Sequence, residues 1–253
     1  MNQHQHRICT SAHSAAYTHC SDCRLNSICL PLSLEFSDID KLDSIVERGK
    51  PLQKGDAIYR QGDSFKALFA IRSGAIKTFS TNTDGEQHIT GLYLPGEVVG
   101  LDGPADNQHV NSAIALQTTS VCAIPYQRLE ALSRQVPGLQ RNLLQLLSRE
   151  INADQKQRNL LGRTSAEVRV ASLLLSISAR LARHNLSAVA FTLPMSRSDM
   201  ANFLGLTLET VSRVFGRLQK LKILSTNRKD LVINDLEQLQ ALTHKSCKDN
   251  FDD

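Results

Sequence analysis

The chain lacks long apolar runs. Its 253 residues contain no stretch of about 18 consecutive apolar residues, the length that suggests a membrane-spanning helix. Residues 1–16 are rich in histidine and serine and lack the apolar segment of a secretory signal. Tryptophan is absent, but the 41% of apolar residues suffice for packed cores. The sequence therefore predicts a cytoplasmic protein without a membrane span, long enough for two small domains.

Glycine is scarce outside the first half of the chain. Nine of the 13 glycines lie between Gly49 and Gly103, and short apolar runs lie among and after them. Short strands separated by frequent turn residues are typical of a β-sandwich or jelly roll. Asp84-Gly85 is a hairpin signal. The predicted strands are Ala57–Arg60, Ala67–Arg72, Ala75–Ser80, His88–Leu94, Ala113–Leu116 and Ser120–Pro125.

Proline is absent between Pro137 and Pro194, so long helices are permitted there. Apolar residues at steps of three and four predict one long helix over Leu139–Leu161 and a second over Ala166–Arg183. The chain is therefore predicted to be an α+β protein. Its first half is predicted to contain a β-sandwich or jelly roll, and its second half is predicted to be helical.

The long helix carries a coiled-coil seam. In a parallel two-fold dimer each seam residue meets its own copy, so the seam predicts a homodimer. Two Asp154 carboxylates would then lie together, and we interpret Asp154 as an electrostatic brake on dimerisation. The seam residues are Leu144, Leu147, Ile151, Asp154, Arg158 and Leu161.

Six cysteines in a cytoplasmic chain favour metal or redox roles over a disulfide framework. Cys20, Cys23 and Cys29 have the spacing C-x2-C-x5-C, which lets one short loop wrap a metal centre with soft thiolate ligands. A tetrahedral thiolate site needs a fourth ligand in addition to these three, and Cys122 is the candidate. Cys9 and Cys247 are predicted to be free thiols.

Two kinds of centre fit four thiolates. A structural zinc site favours paired C-x2-C knuckles, and the second pair is missing here. The spacing therefore favours an iron–sulfur cluster, with zinc as the alternative.

The C-terminal third has the pattern of a winged helix-turn-helix. A capping-box start at Ser196 opens a short helix over Asp199–Leu204, and Gly205-Leu206 forms a tight turn. Thr207 caps a second helix that runs to about Leu221, with Leu221 predicted to face inward. Two β-like runs joined at Asn227–Lys229 predict a wing with a basic tip.

The second helix is suited to the major groove of DNA. Between Thr207 and Lys229 there are six lysines and arginines against one acid, Glu209, which indicates a polyanionic partner. Arg213 can pair with a guanine edge, and Glu209 can accept from a cytosine amino group. Basic side chains at the helix end and wing would contact phosphates. The candidate DNA-binding residues are Glu209, Ser212, Arg213, Arg217, Lys220, Arg228 and Lys229.

From Cys20 to about Asn234 the chain resembles the fumarate and nitrate reduction regulators of the cyclic-AMP receptor protein superfamily, which include anaerobic regulators of pseudomonads. The resemblance rests on H-C-S-D-C-R-L-N-S-I-C-L-P over His19–Pro31, T-T-S-V-C-A-I-P around Cys122, and L-G-L-T-L-E-T-V-S-R-V-F-G-R-L-Q-K over Leu204–Lys220. It implies a β-roll sensor domain, a long dimerisation helix and a winged-helix DNA-binding domain.

The resemblance also implies a mechanism. An oxygen-labile [4Fe–4S] cluster would be bound by Cys20, Cys23, Cys29 and Cys122. With the cluster, such a protein is a dimer that binds double-stranded DNA at a two-fold related TTGAT…ATCAA site and acts on RNA polymerase; oxygen converts the cluster and dissociates the dimer. The base-reading positions of the family fall on Glu209, Ser212 and Arg213.

We therefore predict an oxygen-responsive global regulator that activates or represses genes of anaerobic metabolism. Its predicted segments are a cluster-binding arm over 1–32, a β-roll over 33–136, a dimerisation helix over 137–163 and a winged helix-turn-helix domain over 164–253.

The alternatives are a winged-helix regulator with a structural zinc site and an iron–sulfur electron carrier. An enzyme is not predicted, because we find no constellation of acid–base groups. A bound cyclic nucleotide is not predicted either, because residues 99–115 contain no arginine to neutralise its phosphate.

Overall fold

The computed structural model describes residues 19–31 and 34–244, so the thiols of Cys9 and Cys247 lie outside the described residues. In the described residues, the N-terminal domain contains the helices α1 (Phe36–Ile45) and α2 (Tyr126–Gln135). Its strands are β1 (Glu47–Arg48), β2 (Ala57–Tyr59), β3 (Ala67–Ser73), β4 (Ile76–Thr81), β5 (Gln87–Tyr93), β6 (Val98–Val99), β7 (Ser112–Ala115) and β8 (Ser120–Pro125).

The strands form two four-stranded antiparallel sheets, in the orders β1-β8-β3-β6 and β2-β7-β4-β5. Ile71 and Val99 of the first sheet pack against Ile76 and Ala113 of the second. Because alternate residues of each strand face this layer, the inward positions are apolar. This is the predicted β-roll, and each predicted strand is present within one residue of its predicted bounds.

The glycine-rich turns join the strands as expected. At the β4–β5 hairpin, Gly85 has a φ of +81°, a conformation that residues with a Cβ rarely adopt. The side chain of Asn82 accepts from the backbone N–H groups of Asp84 and Glu86, at 3.0 and 2.8 Å. These bonds stabilise the tip of the hairpin.

One 27-residue helix, α3 (Pro137–Arg163), leaves the β-roll and extends about 40 Å. Proline at its first turn removes only an N–H that has no intrahelical partner. Leu139 near its start is fully buried with Leu30 and Leu129. The predicted long helix is confirmed, and it is two residues longer at each end. In the part of the chain that the structure describes, no helix combines the length and apolarity needed to cross a membrane.

The C-terminal domain contains the helices α4 (Ala166–Ala182), α5 (Arg197–Phe203), α6 (Leu208–Lys220) and α7 (Leu236–His244). Three antiparallel strands accompany them, in the order β10-β11-β9: β9 (Ala190–Thr192), β10 (Leu224–Asn227) and β11 (Asp230–Ile233). Helices α5 and α6 with the β10–β11 hairpin form the predicted winged helix-turn-helix, so the fold class is confirmed.

The local signals of this motif are present. Ser196 and Asp199 form a reciprocal capping box at α5, and Thr207 caps α6 by accepting from the N–H of Thr210 at 3.1 Å. The prediction for Leu221 is wrong: α6 ends at Lys220, and Leu221 is 51% exposed. Lys222 has a φ of +58°, so the chain turns there and Ile223 takes the buried position.

We call the C-terminal domain, which carries the predicted DNA-reading helix α6, the reading domain. It is joined to the long helix through Arg169 of α4. Its guanidinium donates to the carbonyl oxygens of Leu161, Thr164 and Leu204, at 2.8, 3.1 and 3.0 Å. These acceptors lie at the end of α3, in the connection after it, and at the turn between α5 and α6. One side chain therefore connects the long helix to the helix-turn-helix.

The reading domain also contacts the β-roll. Lys77 of β4 forms a 2.6 Å ion pair with Asp199 of α5. Asn202 accepts from the N–H of Ile89 at 2.6 Å and donates to the carbonyl of Gln87 at 2.7 Å. Helix α5 is thus held against strand β5.

Candidate metal centre and nucleic-acid interface

The structure brings the four predicted ligands to one cavity. Cys20, Cys23 and Cys29 come from the arm before α1, and Cys122 comes from β8. All four are free thiols, and all are partly exposed. The cavity measures about 490 Å³, including the part open to solvent. Its apolar lining includes Leu25, Leu30, Leu42, Ala70 and Ile124.

The arm reaches the cavity as a series of tight turns. The N–H of Asn26 donates to the carbonyl of Cys23 at 3.0 Å, and the N–H of Cys29 donates to that of Leu25 at 2.9 Å. The side chain of Asn26 closes the loop by donating to the carbonyl of Ser21 at 3.0 Å. Successive cysteines of the C-x2-C-x5-C motif are thereby turned toward one point.

Asp43 of α1 anchors the start of the arm. This carboxylate is only 3% exposed, and it accepts from the backbone N–H of Cys20 at 2.8 Å. Arg48 of β1 donates to the same oxygen at 2.5 Å, and the imidazole of His19 lies 3.3 Å from the other oxygen. A buried acid needs such partners, and here they tie α1, β1 and the arm together.

The end of the arm is attached to the long helix. Asn142 of α3 donates from its side-chain amide to the carbonyl oxygen of Leu30, at 3.0 Å. Leu30 is 1% exposed and packs in the same apolar cluster as Leu139 of α3. The residue after Cys29 is therefore both bonded to α3 and packed against it.

Burial raises the pKa of three of these thiols, those of Cys20, Cys29 and Cys122. It raises the pKa of Cys29 to about 12, and burial together with Asp43 raises the pKa of Cys20 to about 12. Burial also raises the pKa of Cys122, although the nearby Arg48 and Arg72 act in the opposite direction. Thiols held in this way ionise when a metal replaces the proton.

The donor set fits a thiolate-bound metal group. Four sulfur atoms are the ligands that iron–sulfur clusters and zinc take, and no harder ligand is needed to complete four bonds. Among residues 19–31 and 34–244, no three histidine, cysteine or acidic side chains already form a site for a single metal ion. The candidate ligands are therefore the four thiols that border one cavity.

The predicted DNA-reading side chains lie on the outer face of α6. Val211 and Leu218 are fully buried against the rest of the domain, and the opposite side of the helix is exposed. Because positions at steps of three and four share a face, the polar residues are presented together. The exposed residues of this face are Glu209, Ser212, Arg213, Arg217 and Lys220.

Two of these side chains are paired with each other. Arg213 donates to Glu209 one turn earlier, at 2.8 Å, and both are more than 70% exposed. Ser212 donates to the carbonyl of Leu208 at 2.9 Å. Arg217 leans toward α4, where its Nε lies 3.5 Å from Glu167. A surface ion pair thus orients Glu209 and Arg213, the two predicted base-reading residues.

The wing presents the other two predicted cations. Arg228 and Lys229 form the loop between β10 and β11, whose last pair is Asn227 with Asp230. Arg228 has a φ of +55°, and both side chains are exposed. A two-residue basic loop beside α6, the helix predicted to enter the major groove, is suited to phosphate contacts.

The predicted seam is exposed along the middle of α3. Leu144 is 62% exposed and Ile151 is 55% exposed, and Leu147, Asp154 and Arg158 are exposed on the same face. Leu161 is the exception, because it is partly buried near the turn at Gly205. The side chains from 144 to 158 are available to a second copy of the helix.

The interior of the β-roll is filled by aromatic rings. His109 stacks on Tyr59 with the ring centroids 3.6 Å apart, and Phe65 packs edge-on against His109 at 5.4 Å. Asp102 accepts from the backbone N–H groups of Val110 and Asn111, at 3.1 and 3.0 Å. His109, from the stretch 99–115, therefore packs between Tyr59 and Phe65.

Sequence reasoning missed Asp43, Arg48 and Asn142. A buried acid on an amphipathic helix could have indicated Asp43, but α1 itself was not predicted. Arg48 lies on a two-residue strand that has no periodic pattern. Asn142 contacts a residue 112 positions away, which no local signal reveals.

Comparison with known proteins agrees with both parts of the fold. Residues 50–136 match the cyclic nucleotide-binding domain, and residues 168–242 match the Crp-like helix-turn-helix domain. Such a helix-turn-helix domain binds DNA.

Curated relatives match nearly the whole chain. Transcriptional activator protein Anr of Pseudomonas protegens is 49% identical over 237 residues, which cover 94% of this chain and 96% of the relative. The fumarate and nitrate reduction regulatory protein of Yersinia pestis is 42% identical over 237 residues, covering 93% and 95%. The structure of FixK2 from Bradyrhizobium japonicum has a TM-score of 0.72 at 30% identity, covering 78% of this chain and 97% of FixK2.

Proposed function

Because the chain belongs to the Anr and fumarate-and-nitrate-reduction family of anaerobic transcription regulators, we propose that it is an oxygen-responsive member. Cys20, Cys23, Cys29 and Cys122 would hold a [4Fe–4S] cluster, which when bound supplies oxygen-sensitive redox chemistry. The protein would act in the cytoplasm, as a homodimer on DNA, and would activate or repress genes of anaerobic metabolism through RNA polymerase.

One observation carries this proposal: the cysteine arm is bonded to the helix that would dimerise. Asn142 holds the carbonyl of Leu30, the residue after Cys29, while the other end of the arm is held by Asp43. A change that orders the arm would therefore also order the start of α3. A change at the cysteines would alter the packing of α3 before it altered anything in the reading domain.

The exposed seam is where the second copy would bind. Leu144, Leu147 and Ile151 offer apolar surface, and a soluble monomer gains by covering such a stripe. Asp154 lies one turn after Ile151 on the same face and would oppose its own copy. The balance between these residues would leave the dimer marginal, so that a modest change in the arm shifts it.

The dimer would present two copies of α6 to DNA. Glu209, Ser212 and Arg213 would read bases in successive major grooves, and Lys220, Arg228 and Lys229 would contact phosphates. Arg217 would also contact a phosphate, after its ion pair with Glu167 breaks. We expect a preference for the two-fold related site TTGAT…ATCAA.

We propose that the β-roll serves as a scaffold without a bound cyclic nucleotide. Tyr59, Phe65 and His109 fill its interior. Residues 99–115 provide no arginine for a phosphate. A buried phosphate without a cation would be costly.

Protein purified without oxygen tests the function. Iron and acid-labile sulfide should be present at four of each per chain if four thiolates hold one [4Fe–4S] cluster. A DNA gel shift with the TTGAT…ATCAA site should occur without air and be lost after exposure to air. Zinc in place of iron would indicate the structural-zinc alternative. A cluster with no oxygen-dependent DNA binding would indicate an electron carrier.

A further inference from the structure

Two arginines, Arg48 and Arg72, also line the cavity of the four cysteines. Arg48 contacts the arm. Its Nη2 lies 3.5 Å from the sulfur of Cys20 and 2.5 Å from Asp43. In the β1–β8 pairing it stands directly opposite Cys122. One side chain therefore contacts a sulfur of the arm and pairs with the acid that anchors the arm, and its residue is the strand partner of Cys122.

The surroundings of Arg48 favour a strong electrostatic effect. Its side chain is only 13% exposed and that of Asp43 only 3%. Charges in such a setting are screened much less than surface charges.

We propose that Arg48 is a positioning residue for the cluster: it orients Cys20 through Asp43, and its charge and sulfur hydrogen bond raise the reduction potential of the bound group. This inference rests on the proposed function. Four thiolates give a [4Fe–4S] centre a net negative charge, and adding an electron increases it. A fixed cation that donates to a ligand sulfur stabilises the reduced state more than the oxidised state.

The shape of the side chain matters as well as its charge. A guanidinium is a rigid fork that can donate to the Cys20 sulfur and to Asp43 at once, and a second nitrogen reaches the carbonyl of Val46 at 3.5 Å. A lysine ammonium is a single point charge on a flexible stem. Arg48→Lys should therefore keep most of the charge effect but lose the alignment of the arm.

The test compares Arg48→Gln and Arg48→Lys with Arg128→Gln. Arg128 of α2 is a matched control, because it also pairs with a β1 residue, Glu47 at 3.5 Å, but is 61% exposed and does not line the cavity. The midpoint potential of the cluster should become more negative in Arg48→Gln, stay near wild type in Arg48→Lys, and be unchanged in Arg128→Gln.

Hydrogen–deuterium exchange over residues 19–31 of the cluster-free protein gives a second readout. Exchange should be faster in both Arg48 variants than in wild type and unchanged in Arg128→Gln. Arg48→Lys retains a cation for Asp43, so it serves if Arg48→Gln does not fold. Wild-type potential in Arg48→Gln, or wild-type exchange in Arg48→Lys, would overturn the inference. Wild-type protein that binds no iron or sulfide would instead overturn the proposed function.

Discussion

The side-chain amide of Asn142, on the long helix, donates a 3.0 Å hydrogen bond to the carbonyl oxygen of Leu30. Leu30 follows Cys29, so this bond joins the cysteine arm to the helix that carries the predicted dimer seam. Both residues are buried: Asn142 is 9% exposed and Leu30 is 1% exposed. A buried carbonyl left without its donor costs about 1–3 kcal/mol, which is enough to loosen a short segment but not to unfold a domain.

Asn142→Ala should therefore loosen the arm selectively. We expect faster hydrogen–deuterium exchange over residues 19–31 and faster loss of the cluster's visible absorbance in air, with the melting of the C-terminal domain unchanged. Asn152→Ala is the control, because Asn152 is an exposed asparagine on the same helix. Equal exchange in the two variants would show that the Asn142 bond does not order the arm.

Serine in place of any one of Cys20, Cys23, Cys29 or Cys122 should abolish the cluster. Four thiolates complete its ligand set, and hydroxyl oxygen replaces thiolate sulfur poorly. Iron and sulfide assays on anaerobically purified protein measure the effect. Cys9→Ser and Cys247→Ser are the matched controls and should keep full iron content. A Cys122→Ser protein with full iron would remove Cys122 from the site.

Arg213→Ala should weaken binding to the specific DNA site by about 1–3 kcal/mol and relax its base preference. On the free helix Arg213 pairs with Glu209, but an exposed pair of this spacing contributes only about 0.3–0.5 kcal/mol. Breaking it to reach the bases therefore costs less than the base contact gains. Binding titrations with single-base variants of TTGAT…ATCAA check the prediction, and selection of an unrelated motif from random DNA would contradict it.

Lys229→Ala should act differently from Arg213→Ala. A wing lysine that contacts phosphate contributes equally to every sequence, so its loss should weaken specific and non-specific DNA alike. The slope of log affinity against log salt should become shallower by about one. Titrations at several salt concentrations measure the slope, and a change confined to the specific site would assign Lys229 to base reading.

The architecture was predictable because its signals are local. Glycines lie in every connection between consecutive strands of the β-roll except the one between β7 and β8. Thr207 and the capping box at Ser196 mark the starts of α6 and α5. The error at Leu221 shows the limit of periodicity. Leucine continues the apolar spacing of α6, but Lys222 adopts a left-handed conformation and directs Ile223 inward instead.

The contacts that hold the cysteine arm in place were not predictable, because they join residues far apart in the sequence. Asp43 contacts Cys20 across 23 positions, and Asn142 contacts Leu30 across 112. Such contacts exist only after the arm, α1 and α3 have packed together. The four cysteines could be named from their spacing and chemistry, but Asn142 could not, and Asp43 could have been named only if α1 had been predicted.

Asp154 lies where its charge would oppose dimerisation. It is exposed on the same face as Ile151, and Arg158 approaches it through the backbone, with Nε 3.4 Å from the carbonyl of Asp154. The acid one turn earlier, Glu150, is directed away from the seam, because it is hydrogen-bonded to Tyr93 of β5. In a parallel dimer Asp154 would thus face its own copy. Two carboxylates a few ångströms apart in a partly dry interface cost on the order of 1–4 kcal/mol.

Asp154→Ala should therefore dimerise and bind DNA even after oxygen has destroyed the cluster. A cost of this size changes the dimer equilibrium by about fivefold or more. Sedimentation of aerobic protein measures the effect directly, with Asn152→Ala as a control on the same helix. Ile151→Ala should have the opposite effect and weaken dimerisation while the cluster is present, because it removes apolar contact from the seam. A purely monomeric aerobic Asp154→Ala protein at micromolar concentration would show that Asp154 is not a brake.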